Sequence, residues 1–182
     1  NILHTVESYY PEINGMAEVV KQISENLVKL GHSVTVATTK TSKRKGKKYI
    51  NGIKIIEFDI WGNSAFIIKG DKKKYQDFLI NSSYDIIVNF AAQQWATDLM
   101  LPILDKIKAK KIFVPTGFSG LYSPFYKNYF NKMKRWMKKY DMNIFLSETY
   151  RDINFARKNN IKKIIVIPNG ASKEEFMPKS TF

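Results

Sequence analysis

Residues 8–39, SYYPEINGMAEVVKQISENLVKLGHSVTVATT, run from a loop of Tyr, Pro and Asn through one Gly into a long periodic segment, then through Gly-His into a β-branched run. Val19, Val20, Ile23, Leu27 and Leu30 recur at helical spacing, with Lys21, Glu25 and Lys29 between them. That pattern predicts a helix over Gly15–Leu30, stopped by Gly31. Asn1–Val6 upstream and Ser33–Thr39 downstream read as strands. The loop Glu7–Asn14 therefore joins a strand to a helix N-terminus, where free backbone amides and the positive end of the helix dipole face an anion. A single Gly is neither Gly-x-Gly-x-x-Gly nor a Walker loop, which argues against a nicotinamide or ATP site. A turn that needs one flexible residue accounts for the spacing equally well.

Outward from this stretch the chain alternates. KTSKRKGKK (40–48) reads as a solvated loop with six cations, followed by YINGIKIIEFDIW (49–61). Asn51-Gly52 between extended residues signals a type I′ hairpin. Four later runs, DIIVNF, KIFVP, NIFLS and IIVIP, are apolar almost throughout, as strands buried on both faces must be. Helical patterns lie between them near Trp95–Lys108, Ser123–Lys139 and Ser147–Asn159. The alternation predicts an α/β fold: a doubly wound, Rossmann-like parallel sheet with helices on both faces, in one domain extending to about Asn169.

Composition narrows the function. The 182 residues, 44% hydrophobic, suffice for one domain with a core. The absence of Cys excludes disulfides and thiolate metal sites, and two His without a carboxylate cluster predict neither a metal nor a cofactor. No leader-like start and no apolar run of about 18 residues is present, so a cytoplasmic location is the default expectation. Thirty Lys and Arg against sixteen Asp and Glu, net +14, predict attraction to phosphate in nucleic acid, lipid or a ligand, unless the excess is only a solvated surface.

Much of that charge sits in SPFYKNYFNKMKRWMKKYD (123–141). Phe125, Tyr126, Tyr129, Phe130, Met133, Trp136, Met137 and Tyr140 form one helical stripe, and Pro124 suits the first turn. Lys127, Lys132, Lys134, Arg135, Lys138 and Lys139 lie off it. The pattern fits an interfacial helix on an anionic membrane, and equally a core-facing helix with solvated lysines.

YYPEINGMAEVVKQISENLVKLGHSVTVATT resembles the opening of glycosyltransferase family 4, the retaining nucleotide-sugar transferases of two-domain GT-B fold. IIVIPNGASKEEF is similar to that family's Ile-Pro-Asn-Gly segment, and SETYRDINFARKNNIKK to its Ser-led helix before the exit strand. The resemblance implies that residues 1–169 are the N-terminal, acceptor-side domain. Asn169 and Gly170 would mark the interdomain exit, and residues 170–182 the start of a linker to a donor-binding domain. It implies a sugar moved from a nucleoside-diphosphate donor, a co-substrate and not a bound cofactor, to a glycan or lipid-linked acceptor, with the fragment alone inactive.

Asn14, Gly15 and Met16 fall on the family's glycine loop beside the donor phosphate, with Asn in place of the first Gly. Asn tolerates left-handed backbone, which keeps the loop viable. Glu12, with Glu7 near it, is placed to bond sugar hydroxyls. Gln93, Gln94 and Trp95 follow the run DIIVNF on a loop the family uses around the acceptor, although Trp95 suits packing as well. Thr116, Gly117 and Phe118 occupy the loop where many members carry a His; this sequence has none. Front-face displacement, in which the departing phosphate helps take the acceptor proton, does not require it. Thr116 and the Gly117 amide would then stabilise developing charge. His4 reads as core and His32 as a turn residue. The competing readings are a basic nucleic-acid-binding module and a catalytically silent transferase-like subunit.

Overall fold

The computed structural model describes residues 1–170. Ten strands and five helices are present in this span. The strands are β1 (Ile2–Thr5), β2 (Val34–Thr39), β3 (Tyr49–Ile50), β4 (Ile53–Phe58), β5 (Ile60–Trp61), β6 (Lys69–Gly70), β7 (Ile86–Phe90), β8 (Lys110–Val114), β9 (Met142–Phe145) and β10 (Ile164–Val166). The helices are α1 (Gly15–Lys29), α2 (Lys72–Asn81), α3 (Trp95–Met100), α4 (Lys127–Lys139) and α5 (Arg151–Lys158).

The main sheet has the order β10-β9-β8-β7-β1-β2-β4-β3. Every pairing is parallel except β3 with β4, joined by the expected Asn51-Gly52 turn with φ of 49° and 80°. From β1 the chain first winds one way through β2 and β4, then crosses back to β7 and continues to β10. The order therefore reverses between β1 and β7, where loops leaving the strands' carboxyl ends diverge and open a crevice. A separate ribbon of β5 and β6 lies between β4 and α2 in the chain.

Helices cover both faces, because the strands are apolar on both. One face packs Val20 of α1 with Val6, Tyr9, Val36, Ile53, Ile55 and Phe90. The other buries Tyr75 and Leu79 of α2, Trp95 and Leu99 of α3, Met133 and Met137 of α4, and Ile153 of α5. α1 ends as Gly31 predicts: Gly31 takes φ 88°, its amide donates to the Val28 carbonyl, and the His32 amide reaches Leu27.

The later helices are shorter than their sequence patterns. Trp95–Lys108 is α only to Met100, since Pro102 lacks an amide hydrogen and the chain tightens into a 3₁₀ turn over Leu101–Lys106. Pro124–Tyr126 forms a 3₁₀ turn before α4. α5 starts at Arg151, after the Ser147 hydroxyl has accepted from the Thr149 amide and held a turn. α2 and β6 lie outside the elements expected from sequence, while β5 falls at the end of the extended stretch 49–61. The stripe in α4 resolves in favour of the core: Tyr129, Phe130, Met133, Met137 and Tyr140 are buried, while Phe125 is 78% exposed.

Several polar residues inside the sheet bond one another. Asn89 Nδ2 donates to Thr5 Oγ1 at 2.7 Å, and the Tyr140 hydroxyl donates to Asn89 Oδ1 at 2.9 Å. His4, fully buried in β1, sits 2.8 Å from Ser24 of α1, and burial lowers its pKa to about 3. The imidazole is neutral when folded but takes a proton near pH 6.5 when unfolded, so its contribution to stability is present above pH 6.5 and lost as pH falls toward 3. Wild-type protein should lose about 2 kcal/mol more than a His4→Asn variant between pH 7.5 and 5, read from urea midpoints at each pH.

Candidate active site at the strand switch point

The crevice is walled by the loops after β1, β7, β8 and β9. Asn14 caps α1 in extended backbone (φ −156°), not the left-handed region that the sequence argument allowed for. Its Oδ1 accepts from the Ala17 amide at 2.8 Å, and its Nδ2 donates to the Ser8 hydroxyl at 2.8 Å. The Gly15 and Met16 amides have no partner among the described residues, so they are the donors left for an anion at the dipole's positive end. A Cβ built on Gly15 meets nothing within 4 Å, and φ there is not positive. Neither the backbone nor the packing of this domain explains the Gly.

The loops of β1, β7 and β8 are tied together by two glutamines. Gln94 Oε1 accepts from the Glu7 amide at 3.3 Å, directly between the loops after β1 and β7. Gln93, itself left-handed (φ 62°), accepts through Oε1 from the Ser119 hydroxyl at 3.2 Å and the Gly120 amide at 3.1 Å. Its own amide donates to the Tyr129 hydroxyl at 3.1 Å. Gly120 has to be small: a Cβ would lie 2.3 Å from Gln93 Nε2 and 2.6 Å from the Tyr126 ring.

Several expected site groups are already committed to the fold. Trp95 is fully buried, its Nε1 donating to Thr39 Oγ1 at 2.8 Å with its ring edge-on to Tyr75, so it packs and does not line the crevice. Phe118 is likewise buried, against Phe130 and Phe155. Thr116 and Gly117 are both left-handed (φ 57° and 84°), and the Gly117 amide donates to Asp152 Oδ2 at 2.8 Å. That amide holds α5 in place and is not available to a developing charge. Glu12 accepts from Lys43 at 2.8 Å and from the Thr41 hydroxyl at 3.3 Å, which keeps its carboxyl below the usual range. Asn169 and Gly170 are exposed at the end of the described residues.

Two groups beside Glu7, Asp98 and Tyr126, were not assigned to the site by sequence. Asp98, in the first turns of α3, is buried; its Oδ2 accepts from the Ser64 amide at 2.7 Å, and Oδ1 has no partner among the described residues. Burial raises its pKa, with hydrogen bonds from Ser64 opposing. Glu7 feels the same setting: burial first, then the Asp98 charge, raise its carboxyl. Tyr126 is raised by burial, with Asp98 and Glu7 adding to it. A lone acid in the apolar run WATDLM is the signal that could have pointed to Asp98.

Arg44 is the largest departure from the expected solvated loop. It is 2% exposed, with Nε donating to the Tyr10 carbonyl, Nη2 to the Tyr9 carbonyl, and Nη1 to the Thr39 carbonyl and Glu57 Oε1, all within 2.8 Å. One side chain thus pins the loop before α1 to the ends of β2 and β4.

The model of the family described as Glycosyltransferase Family 4 matches residues 13–175, and the chain belongs to that family. No curated protein matches it significantly in sequence. Sucrose-phosphate synthase from Thermosynechococcus elongatus is similar over 98% of this chain and 50% of its own, with TM-score 0.71 and 14% identity. WaaG, a glycosyltransferase involved in lipopolysaccharide biosynthesis, is similar over 96% of this chain and 46% of its own, with TM-score 0.62 and 14% identity. A glycosyltransferase from Rickettsia africae is similar over 100% of this chain and 46% of its own, with TM-score 0.64 and 18% identity. At these identities the likeness is one of fold, and it is to GT-B structures. The chain spans about half the length of each of them.

Arg44→Met should lower unfolding free energy by about 3 kcal/mol, because Glu57 and three carbonyls lose their donor, and Arg44→Lys should not restore it. A Cβ on Gly117 would meet the Tyr150 ring at 2.5 Å in a left-handed backbone. Gly117→Ala should therefore cost about 1–2 kcal/mol in denaturant unfolding.

Proposed function

We propose that residues 1–169 are the N-terminal, acceptor-side domain of a retaining glycosyltransferase. The enzyme would move a sugar from a nucleoside-diphosphate donor to a glycan or lipid-linked acceptor in cell-envelope or polysaccharide synthesis. Asn169 and Gly170 open the connection to a donor-binding domain, and the rest of that linker lies outside the described residues. The observation that carries the reading is the unfilled space over Gly15 at the strand switch point, beside the Gly15 and Met16 amides. A ligand approaching the backbone there supplies a reason for the Gly that packing does not.

The chemistry divides among named groups. The departing diphosphate gathers negative charge as the sugar leaves, and the two amides with the α1 dipole stabilise it where it develops. Gln93, held by Ser119 and the Gly120 amide, and Gln94, held by the Glu7 amide, form with Tyr126 a polar wall that is fixed before the acceptor arrives, lowering the entropy of positioning. Glu7, with its carboxyl raised, is a stronger acceptor for an acceptor hydroxyl than an ordinary surface carboxylate.

Lys127, Lys132, Lys134, Arg135 and Lys138 are exposed on α4, and none is in an ion pair among the described residues; Lys139 pairs with Asp105. Tyr122 and Phe125, 83% and 78% exposed, precede them on the same connection. At about 1 kcal/mol per basic residue near an anionic leaflet, five unpaired cations suffice for reversible adhesion. No described helix is long and apolar enough to cross a membrane. A cytoplasmic enzyme, peripheral to an anionic membrane and meeting a lipid-linked acceptor there, fits this surface. WaaG's role in lipopolysaccharide synthesis is an instance of such an acceptor class in a protein of similar fold.

The protein extended to its natural C-terminus should release nucleotide from one of a panel of UDP-, GDP-, dTDP- and ADP-sugars, with stimulation by membrane lipid. Gly15→Val should cut transfer at least about 100-fold while shifting Tm by no more than about 2 °C, since a Cβ at this position has no neighbouring atom within 4 Å. Normal turnover by that variant would remove the assignment.

A further inference from the structure

Toward the β3 edge of the sheet, the Tyr10-Pro11 side of the first loop shares a cavity of about 440 Å³ with the connection that follows β2. Lys43, Arg44, Lys45, Lys47, Tyr10 and Tyr49 line it. A nine-residue run carrying six cations would ordinarily stay in water and sample many shapes. Here Arg44 is buried and bonded to four acceptors, Thr41 caps the turn, and Lys45 and Gly46 reverse the chain with φ of 50° and 71°. The cations beside Arg44 are consequently held around one concavity and not spread over the surface.

Their charge is incompletely matched. Glu12 pairs with Lys43 and Glu57 with Arg44, whereas Lys45 and Lys47 have no acidic partner among the described residues. Of the two rings, Tyr10 already carries Lys21, 5.8 Å from its centroid. Tyr49 is exposed, with no aromatic or cationic neighbour at its ring among the described residues.

We propose that this cavity is a subsite for an anionic sugar unit of the acceptor, stacked on Tyr49, with its phosphate or carboxylate held by Lys45 and Lys47. The proposal rests on the glycosyltransferase reading, and it names the acceptor as negatively charged. Size supports a ring-sized ligand, since small-molecule sites begin at about 300 Å³. Position supports an acceptor, because Tyr10 and Pro11 belong to the loop that ends at Asn14 and Gly15. Two rings around one small cavity do not provide the succession of stacking platforms on which single-stranded nucleic acid depends.

The test is calorimetry on the full-length protein with glucose 6-phosphate, glucuronate, glucose and inorganic phosphate, each at one fixed ionic strength. Glucose 6-phosphate or glucuronate should bind at least about tenfold more tightly than glucose or phosphate alone. The Lys45→Glu/Lys47→Glu variant should weaken that binding about tenfold or more, and Tyr49→Ala should bring the sugar phosphate to the level of phosphate. Equal affinity for phosphate and sugar phosphate in the wild type would overturn the subsite, as would unchanged affinity in the double variant. So would displacement of the sugar by a lower concentration of single-stranded oligonucleotide. Nucleotide release from the donor panel, measured on the same wild-type samples, reports separately on the transferase reading. Sugar binding without release upholds the cavity and removes the enzyme, and release without sugar binding does the reverse.

Discussion

A guanidinium withdrawn from water must have its charge and its donors matched, or the fold that buries it is lost. Arg44 meets that requirement with Glu57 and three main-chain carbonyls from two different segments. The geometry of the guanidinium then becomes the geometry of the loop: Tyr9 and Tyr10 cannot move without orphaning a buried donor. Because that loop leads into Asn14, the position of the α1 N-terminus over the crevice is set partly from β2 and β4. The same anchor shapes the lysine-lined cavity beside it. Both candidate ligand surfaces of the domain thus depend on one buried cation.

The crevice itself follows from topology. Reversal of the strand order at the paired strands β1 and β7 makes the loops beyond their carboxyl ends diverge, and a side-chain amide bridges those loops. Gln94 reaches across to Glu7, while Gln93 binds the loop after β8. Left-handed residues at Ala91, Gln93, Thr116 and Gly117 turn these loops sharply enough to keep them short and fixed. Such strain collects at sites where loops must hold a substrate, and it is tolerated here because Asp152 and Tyr129 accept the amides that those turns expose. The wall is therefore preorganised without any ligand, as transfer between two positioned substrates demands.

The charge excess also resolves into parts with different roles. Arg44 is structural, Lys43 and Lys139 are paired, and the exposed Lys127, Lys132, Lys134, Arg135 and Lys138 of α4 have no ion-pair partner among the described residues. Only the first of these is a stability term. Exposed lysines contribute little to the fold and much to the field that the molecule presents.

The sequence was sufficient for the architecture. Continuous apolar strands, periodic helices, Gly31 and Asn51-Gly52 each impose local geometry that holds whatever surrounds them, and the sheet, the hairpin and α1 follow. The motifs at the two ends of the chain were also enough to place it among glycosyltransferases. Side-chain destinations were not legible in the same way. Trp95 and Phe118 have the composition of ligand-facing residues and are core; Arg44 sits in a run that reads as solvent and is the most buried cation; the Gly117 amide is taken by a carboxylate 35 residues away. Asp98 and Tyr126 meet Glu7 only because three loops converge. Local pattern determines which backbone conformation each segment adopts, because sterics and hydrogen bonding act within a few residues. Which polar group meets which depends on contacts between segments far apart in the chain, and those exist only once the sheet has brought its carboxyl ends together.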